Sequence, residues 1–350
     1  MASFFSSAGS FLITVLASVF VFGIVIFIHE LGHFLTAKFS GIQVNEFALG
    51  MGPTLFSFTR GGTKYGLSLF PIGGFVRNEG EDEESEEAGP FTKAPVGNRI
   101  LVTVAGAVMN LLLGFVVLVC VVCSQQLIST RTVAEFYEGS STQQSGLQVG
   151  DTIVAVNGRR CFIANDIIYE FARTQQGQAD LTVLRDGKRV QLDNVVFDTY
   201  EENGVNQLVI DFKVLGEKKT VGSVLKEAGN WTLSLGRMVV LSLTDLITGR
   251  IAVNNLSGPV GIVSAISEAS SLGLSSLLML LALITINLGI FNLLPIPALD
   301  GGRLVFLIIE AIRRKPISQK YEIAINAAGF ILLIGLMIFA TFNDITKLIV

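Results

Sequence analysis

The chain has 350 residues, of which half are hydrophobic and 15% are charged, against about 25% charged in soluble domains. The formal net charge of −4 argues against a general nucleic-acid binder, and the three cysteines do not form a disulfide framework. This composition predicts a polytopic membrane protein with some soluble mass.

Four stretches are long and apolar enough to cross a membrane as helices, which takes about 20 residues. They are residues 11–37, 100–123, 274–294 and 324–342. Residues 1–10 contain no Lys or Arg, so we expect no cleaved signal peptide, and the first helix should remain in the protein.

The first stretch carries the only two histidines of the chain, His29 and His33, with Glu30 between them. On a helix, residues i and i+4 lie on one face, so both imidazoles can reach one metal ion. Glu30 projects close by, where it can take a proton from a metal-bound water. Polar side chains at membrane depth indicate a functional site. The alternative is a structural histidine pair in a helix bundle.

Residues 42–77 contain alternating and aromatic stretches broken by Gly and Pro. This pattern predicts β-hairpins, which we expect to lie against the membrane near the active site. Seven acidic residues follow between positions 79 and 87. Their spacing does not match a calcium site, so they indicate a solvated acidic loop.

The distribution of Lys and Arg predicts the orientation, because cytoplasmic loops carry an excess of both. Six basic residues lie between the first and second stretches, and five lie between the third and fourth, so both links should be cytoplasmic. Both termini and residues 124–273 should then be extracytoplasmic, since long loops translocate regardless of their charge.

Residues 125–215 mix apolar and polar positions, with turn signals at Asn157-Gly158 and Asp186-Gly187. They predict a compact, soluble, mostly β module. Residues 216–273 contain apolar positions at the spacing of an amphipathic helix, which we expect in the membrane interface. An ordinary surface helix packed on the soluble module is the alternative.

A catalytic zinc site usually takes three protein ligands, and no third histidine exists, so a carboxylate or a thiolate must complete the set. Asp300 is the best candidate, because Pro295 and Pro297 break the third membrane helix just before it. Two alternatives remain: Asp300 is the N-cap of a helix over 301–312, or a cysteine of the second membrane helix is the ligand.

Asn287 and Asn292 lie in or next to the third membrane helix. A buried asparagine must find hydrogen-bond partners. These two residues bond either between helices or to the backbone of an extended substrate, and both interpretations stay open.

These residues resemble the site-2 proteases, zinc metalloproteases that cleave substrates within the membrane, and most closely the bacterial RseP-like group. The resemblance covers nearly the whole chain. It is carried by His29–His33, Pro71–Val76, Asn254–Pro259 and Asn292–Gly301, while residues 145–158 resemble a PDZ domain of the periplasmic protease type.

The resemblance implies a Zn²⁺ ion bound by His29, His33 and Asp300. It also implies that Glu30 is the general base. The implied substrates are single-span membrane proteins already trimmed outside, such as anti-sigma factors or signal-peptide remnants, in the bacterial inner membrane.

The resemblance further implies that the β region, with Gly73 and Gly74, helps to present the substrate strand. Asn287 and Asn292 match positions associated with substrate binding, and the PDZ-like domain gates access. One departure is that some members carry two tandem PDZ domains, whereas this chain has room for one. Another is Arg303, where other members often have histidine.

The expected architecture is a polytopic α-helical membrane protein with a membrane-associated cytoplasmic β region and an inserted extracytoplasmic PDZ-like β domain. Residues 1–124 should form the HExxH-containing core, 125–215 the PDZ-like domain, 216–273 an interfacial region, and 274–350 the core with Asp300. The zinc site should lie towards the cytoplasmic side.

Two rival functions use some of the same features. A metal-binding membrane transporter also has broken helices with polar residues, but the chain lacks inverted repeats. A non-catalytic scaffold acting through its PDZ domain predicts a degenerate HExxH motif, and here the motif is intact. Zinc-dependent cleavage of a model substrate separates both rivals from a protease.

Overall fold

A computed structural model describes residues 2–79, 90–174, 177–202, 205–249 and 257–349. Most of the acidic run at 79–87 and part of the Asn254–Pro259 motif lie outside these residues. The helices are α1 (Ala2–Phe39), α2 (Pro90–Lys93), α3 (Val96–Ser124), α4 (Ser141–Gln144), α5 (Ala164–Ala172), α6 (Val221–Ile247), α7 (Pro259–Leu272), α8 (Leu274–Leu293), α9 (Asp300–Arg313) and α10 (Gln319–Ile349). The strands are β1 (Val44–Arg60), β2 (Thr63–Asn78), β3 (Ile128–Phe136), β4 (Thr152–Val156), β5 (Arg159–Arg160), β6 (Gln178–Arg185), β7 (Lys188–Val196), β8 (Thr199–Glu202), β9 (Val205–Leu208) and β10 (Phe212–Glu217).

The chain divides into two compact units. The helical unit comprises Met1–Val117 and Val239–Val350, and the sheet unit comprises Leu118–Met238.

Four helices of the described chain are long and apolar enough to cross a membrane: Phe11–Phe39, Val96–Ser124, Leu274–Leu293 and Lys320–Lys347. They confirm the four predicted spans. The last is longer than the predicted 324–342, because the helix continues through flanking polar residues that lower the local hydropathy. Helical hydrogen bonds form within the backbone and do not require apolar side chains.

The β region of the helical unit consists of two long antiparallel strands, β1 and β2, joined by a two-residue turn at Gly61 and Gly62, in agreement with the predicted β-hairpins. The start of β1 pairs with both ends of β2: Phe47 lies opposite Val76 on one side and Tyr65 on the other. The register shifts between Met51 and Thr54, and Gly50 and Gly52 nearby have positive φ angles of 83° and 89°. Glycine adopts these angles without steric cost, so the strand can bend and fold back.

The start of the β region packs on α1. The ring of Phe47 lies 6.3 Å from that of Phe27 and 5.2 Å from that of Phe34, both on α1. The far part of β1, including Leu55 and Phe56, is exposed. The packing therefore fixes one end of β1 and β2 against the helix that carries the histidines.

Helix α7 receives its N-terminal cap from α10. Gly258 precedes α7 and has no side chain that could accept a hydrogen bond. Instead, Asp344 Oδ2 accepts from the backbone N–H groups of Gly258 at 2.9 Å and of Gly261 at 2.7 Å. The carboxylate thus satisfies amides that a helix start otherwise leaves without partners.

The sheet unit contains a sheet with the strand order β10-β3-β4-β6-β7 and agrees with the predicted β character of this part of the chain. Its core includes Phe171 from α5, Ile153 from β4 and Leu181 from β6, all fully buried. The apolar residues alternate with polar ones along β6, as expected for a strand with one face in the core.

The first part of α6 is held to α5 by a buried charge cluster. Asp166 and Glu170 on α5 are only 1% and 2% exposed. Arg237 Nη2 on α6 lies 3.4 Å from a carboxylate oxygen of each, and the Ser234 hydroxyl donates to Asp166. This contact supports the alternative in which part of residues 216–273 packs on the soluble module. The interfacial location of the rest stays a prediction.

Candidate metal centre

The structure brings His29, His33 and Asp300 together. Both histidines lie on one face of α1, one turn apart, and Asp300 is the first residue of α9. The two Nε2 atoms are 3.2 Å apart, and Asp300 Oδ2 lies 3.3 Å from that of His29 and 3.4 Å from that of His33. The three atoms form a nearly equilateral triangle.

The triangle has the size that a tetrahedral zinc ion requires. Zinc bonds of about 2.0–2.1 Å at tetrahedral angles place neighbouring ligand atoms roughly 3.3–3.4 Å apart. Asp300 Oδ2 is also buried and accepts no hydrogen bond from the described residues. Two neutral imidazoles and one carboxylate are a typical donor set for catalytic zinc, and they leave a fourth position open.

The local fold explains why Asp300 can reach the histidines. Helix α8 ends at Leu293, and α9 begins at Asp300 with Leu299 as its N-cap residue. The N-cap interpretation of Asp300 is therefore wrong, because the residue lies within the first helical turn. A Cβ atom at Gly302 would lie 2.5 Å from Ile296 O, so this glycine lets α9 start directly against the proline-containing loop.

The loop before Asp300 contains a strained residue, and a hydrogen bond to a side chain of α10 holds it in place. Ala298 has a φ angle of 71°, a conformation that residues other than glycine rarely adopt. Asn326 Oδ1 on α10 accepts a hydrogen bond from the Ala298 N–H at 3.1 Å. A Cβ atom at Gly329 would meet Pro297 O at 2.7 Å, so α10 packs closely on this loop. The position of Asp300 thus depends on a third helix.

Glu30 lies on α1 directly beneath β2. A Cβ atom at Gly74 would be 2.9 Å from Glu30 Cγ and 3.1 Å from Ala48 O. Gly73 has a φ angle of 79°, and a Cβ atom there would be 2.6 Å from Met51 Cε. Gly74 therefore brings the backbone of β2 against the side chain between the histidines, while Gly73 lies against Met51.

Asn287 and Asn292 both lie on α8 and are not part of the three-ligand cluster. Asn292 is buried, and Asn287 Oδ1 is buried without a hydrogen-bond partner in the described chain. The structure therefore leaves an amide group of Asn287 available inside the helical unit, while the substrate role of both residues stays a prediction.

Helix α3 contacts both histidines, which the sequence reasoning missed. His33 Nδ1 lies 2.8 Å from Val102 O, and His29 Nδ1 lies 3.3 Å from Asn110 Nδ2. A Cβ atom at Gly106 would overlap His33 Nε2 and lie 2.7 Å from His29 Cε1. The signal available in the sequence was Asn110, the one asparagine in the predicted span at residues 100–123.

An ion pair joins α3 to α9. The guanidinium of Arg99 donates to both carboxylate oxygens of Glu310, with N–O distances of 3.1 Å and 2.5 Å. Both side chains are largely buried. A two-pronged pair of this kind fixes orientation as well as distance, so it orients the helix that begins with Asp300.

The cysteines are not part of this centre. Within the described residues, the cluster of possible metal ligands contains only His29, His33 and Asp300, and not Cys120 or Cys123. Cys161 is fully buried in the sheet unit, and burial raises the pKa of its thiol to about 12. Its thiol is therefore protonated at neutral pH and is not a metal-binding thiolate.

Comparisons with known proteins agree with this geometry. The sequence profile described as Peptidase family M50 matches residues 17–336. A candidate zinc metalloprotease of Clostridium perfringens is 36% identical, over 95% of this chain and 98% of its own length. Zinc metalloprotease RasP of Shouchella clausii is 31% identical, over 96% and 99%. Regulator of sigma-W protease RasP of Bacillus subtilis is 30% identical, over 97% and 99%.

Proposed function

The chain belongs to peptidase family M50, and on that premise we propose that His29, His33 and Asp300 hold its zinc ion. The protein is a site-2-type zinc metalloprotease with several membrane-spanning helices. The single observation that carries the ligand assignment is the triangle of donor atoms, with sides of 3.2, 3.3 and 3.4 Å.

Glu30 is the general base in this proposal. A bound zinc ion lowers the pKa of a water ligand to about 7 and polarises the carbonyl group of the scissile bond. The Glu30 carboxylate accepts the proton of the attacking water and later gives it to the nitrogen of the leaving amine. Its position on the same helix as both histidines, against Gly74, supports this role.

The substrate strand binds along β2. Peptide bonds in a membrane helix are shielded by their own hydrogen bonds, so the substrate must unwind before it is cut. Within the described residues, the end of β2 from Gly74 to Asn78 pairs with β1 on one side only. A strand added to the free edge would be held extended beside Glu30. In this proposal Gly73 and Gly74 belong to the part of β2 that binds the substrate strand, and Asn287 and Asn292 bond to the substrate backbone.

The substrates are single-span membrane proteins whose outer domains have been removed, such as anti-sigma factors, and signal-peptide remnants. The name of the Bacillus subtilis relative, a regulator of sigma-W protease, supports the first class. The distribution of Lys and Arg supports an orientation in the bacterial inner membrane with both termini and residues 125–215 outside. In this orientation the zinc site lies nearer the cytoplasm, and the PDZ-like module at 125–215 restricts access.

The ligand and base assignments are tested together by zinc content and cleavage of a single-span model substrate. We expect Glu30→Gln to keep its zinc and to lose cleavage by at least about 100-fold, because an amide does not accept the proton of water. We expect Asp300→Ala to lose both. Glu322→Gln, on α10 outside the centre, is the matched control and should change neither. Full zinc content in Asp300→Ala would remove Asp300 from the ligand set.

The orientation is tested by mass spectrometry of the cleavage products. A zinc site near the cytoplasm requires a cut in the cytoplasmic half of the substrate span. Leucine substitutions that stabilise the substrate helix there should slow cleavage, because they oppose unwinding. A cut in the outer third of the span would contradict the orientation.

Deletion of residues 130–215 should speed the cleavage of untrimmed substrates, and an unchanged preference for trimmed ones would contradict the gating role.

A further inference from the structure

Asn110 on α3 faces the nitrogen of His29 that points away from the zinc position. Its Nδ2 atom lies 3.3 Å from His29 Nδ1. Asn110 is fully buried, and its Oδ1 atom has no hydrogen-bond partner among the described residues. A buried amide oxygen without a partner is costly and calls for an explanation.

His33 shows the arrangement that a zinc-binding histidine needs. Its Nδ1 atom lies 2.8 Å from Val102 O, which can only accept a hydrogen bond. The Nδ1 atom of His33 must therefore carry the proton, and the lone pair of Nε2 stays available for a metal. This is the Nε2 atom that lies beside Asp300.

His29 reaches the same state only if its Nδ1–H also meets an acceptor. An amide NH₂ group donates and would leave the proton of His29 on Nε2, where it blocks metal binding. The two ends of a side-chain amide have nearly the same shape, so a half-turn of the Asn110 amide places Oδ1 at the same point. That turn also gives the unpartnered oxygen a donor.

We propose that Asn110 is a positioning residue that accepts a hydrogen bond from His29 Nδ1–H through Oδ1 and thereby presents Nε2 to zinc. The inference rests on the proposed zinc site. Two features of α3 favour it. Thr285 on α8 donates to the backbone oxygen of Asn110 at 3.1 Å and fixes this turn of the helix. Gly106, one turn earlier, leaves the space that both imidazole rings occupy.

The test is the zinc affinity of the purified full-length protein, measured by competition with a chelator. Loss of the partner of a metal-binding histidine typically weakens binding about 10–100-fold, and we expect this for Asn110→Leu. Asn110→Asp should bind zinc at least as tightly as the wild type, because a carboxylate also accepts from Nδ1–H. Excess zinc should restore cleavage by Asn110→Leu, since the side chain does not touch the substrate.

Thr103→Val is the matched control. Thr103 is a buried polar residue two turns earlier on α3, and its hydroxyl donates only within its own helix, to Arg99 O. Zinc affinity should not change in this variant. Wild-type affinity in Asn110→Leu, or an equal loss in Asn110→Asp and Asn110→Leu, would overturn the role of Asn110 alone.

The outcome stays decisive if Asn110→Leu does not fold. The Asn110→Asp protein then carries the test, and a tenfold loss of zinc affinity in it would overturn the proposal. A wild-type protein that binds no zinc would overturn the proposed metal site as well, so the failures of the two proposals are distinguishable.

Discussion

Each unit of the molecule has buried carboxylate oxygens, but the negative charge is balanced differently in the two units. In the sheet unit, Asp166 and Glu170 lie against the guanidinium of Arg237. In the helical unit, the partners of Asp300 are two imidazoles, His29 and His33. An arginine always carries its charge, whereas a neutral imidazole offers a lone pair and no charge. In the first arrangement the charges of the protein compensate one another, and in the second we propose that a bound cation does so.

The side chains beside a carboxylate distinguish a structural contact from a metal ligand. A buried carboxylate beside arginine indicates a structural contact, because the two charges compensate each other. A buried carboxylate beside two histidine nitrogens, at distances near those of a tetrahedral site, indicates a metal.

The first variant that tests this comparison fills the space beside the histidines. In Gly106→Ala, the new methyl group would overlap the imidazole rings, and overpacking of this kind costs about 1–3 kcal/mol. We expect zinc affinity to fall about 10–100-fold, as measured by chelator competition, and cleavage to fall with it. Gly97→Ala on the same helix is the control, because its added carbon meets no atom within 4 Å. Wild-type zinc binding in Gly106→Ala would contradict the packing argument.

A second variant removes the cation from the charge cluster of the sheet unit. Arg237→Met leaves Asp166 buried without its positive partner and leaves Glu170 with Arg159 alone, and breaking a buried pair typically costs about 3–5 kcal/mol. Denaturant unfolding of the sheet unit should show this loss, while zinc content stays at the wild-type level. Adding Asp166→Asn and Glu170→Gln should restore part of the stability. A loss of zinc in Arg237→Met would show that the two clusters are not independent.

A smaller effect is expected at the cap of α7. Asp344→Ala removes the acceptor for two backbone amides, and the loss of a helix cap costs about 0.5–2 kcal/mol. Asp344→Asn should cost less, because the amide oxygen still accepts one hydrogen bond. Thermal unfolding in detergent measures both. Equal stability of Asp344→Ala and the wild type would show that water satisfies these amides instead.

The smallest effect concerns the pKa of Cys161, which burial raises to about 12 from an ordinary value of 9.0. The folded state keeps the thiol proton where the unfolded state loses it, so stability should fall as the pH rises above 9. The slope is at most about 1.4 kcal/mol per pH unit. Unfolding free energies at pH 8 and pH 10 measure it, with Cys161→Ala as the variant that lacks this contribution. The same pH dependence in both proteins would contradict the assignment.

The sequence predicts the parts of the site that lie within short segments. Helical spacing alone places three of its residues together, so the sequence predicts the grouping of His29, Glu30 and His33. Asp300 is predictable as a candidate ligand because the prolines and glycines around it mark a break in an apolar helix. The four membrane spans are also predictable from the sequence, because mean hydropathy is a property of a short continuous segment.

Contacts between distant segments were not predictable in this way. The role of Gly106 depends on how closely α3 approaches α1, and the turn at Ala298 depends on Asn326 in another helix. The glycines near Met51 mark a break in β1, but the pairing of the start of β1 with both ends of β2 joins residues far apart in the chain. Each of these contacts joins residues that only tertiary packing brings together.

The two partners in the cap of α7 are synthesised at different times. Gly258 and Asp344 are 86 positions apart in the chain. At a synthesis rate of about 5–20 residues per second, the ribosome makes the carboxylate roughly 4–17 s after the amides that it receives. During that interval α8 can enter the membrane while the first turn of α7 lacks this acceptor. The cap that α10 provides for α7 can therefore form only after the segment that carries Asp300 has been synthesised.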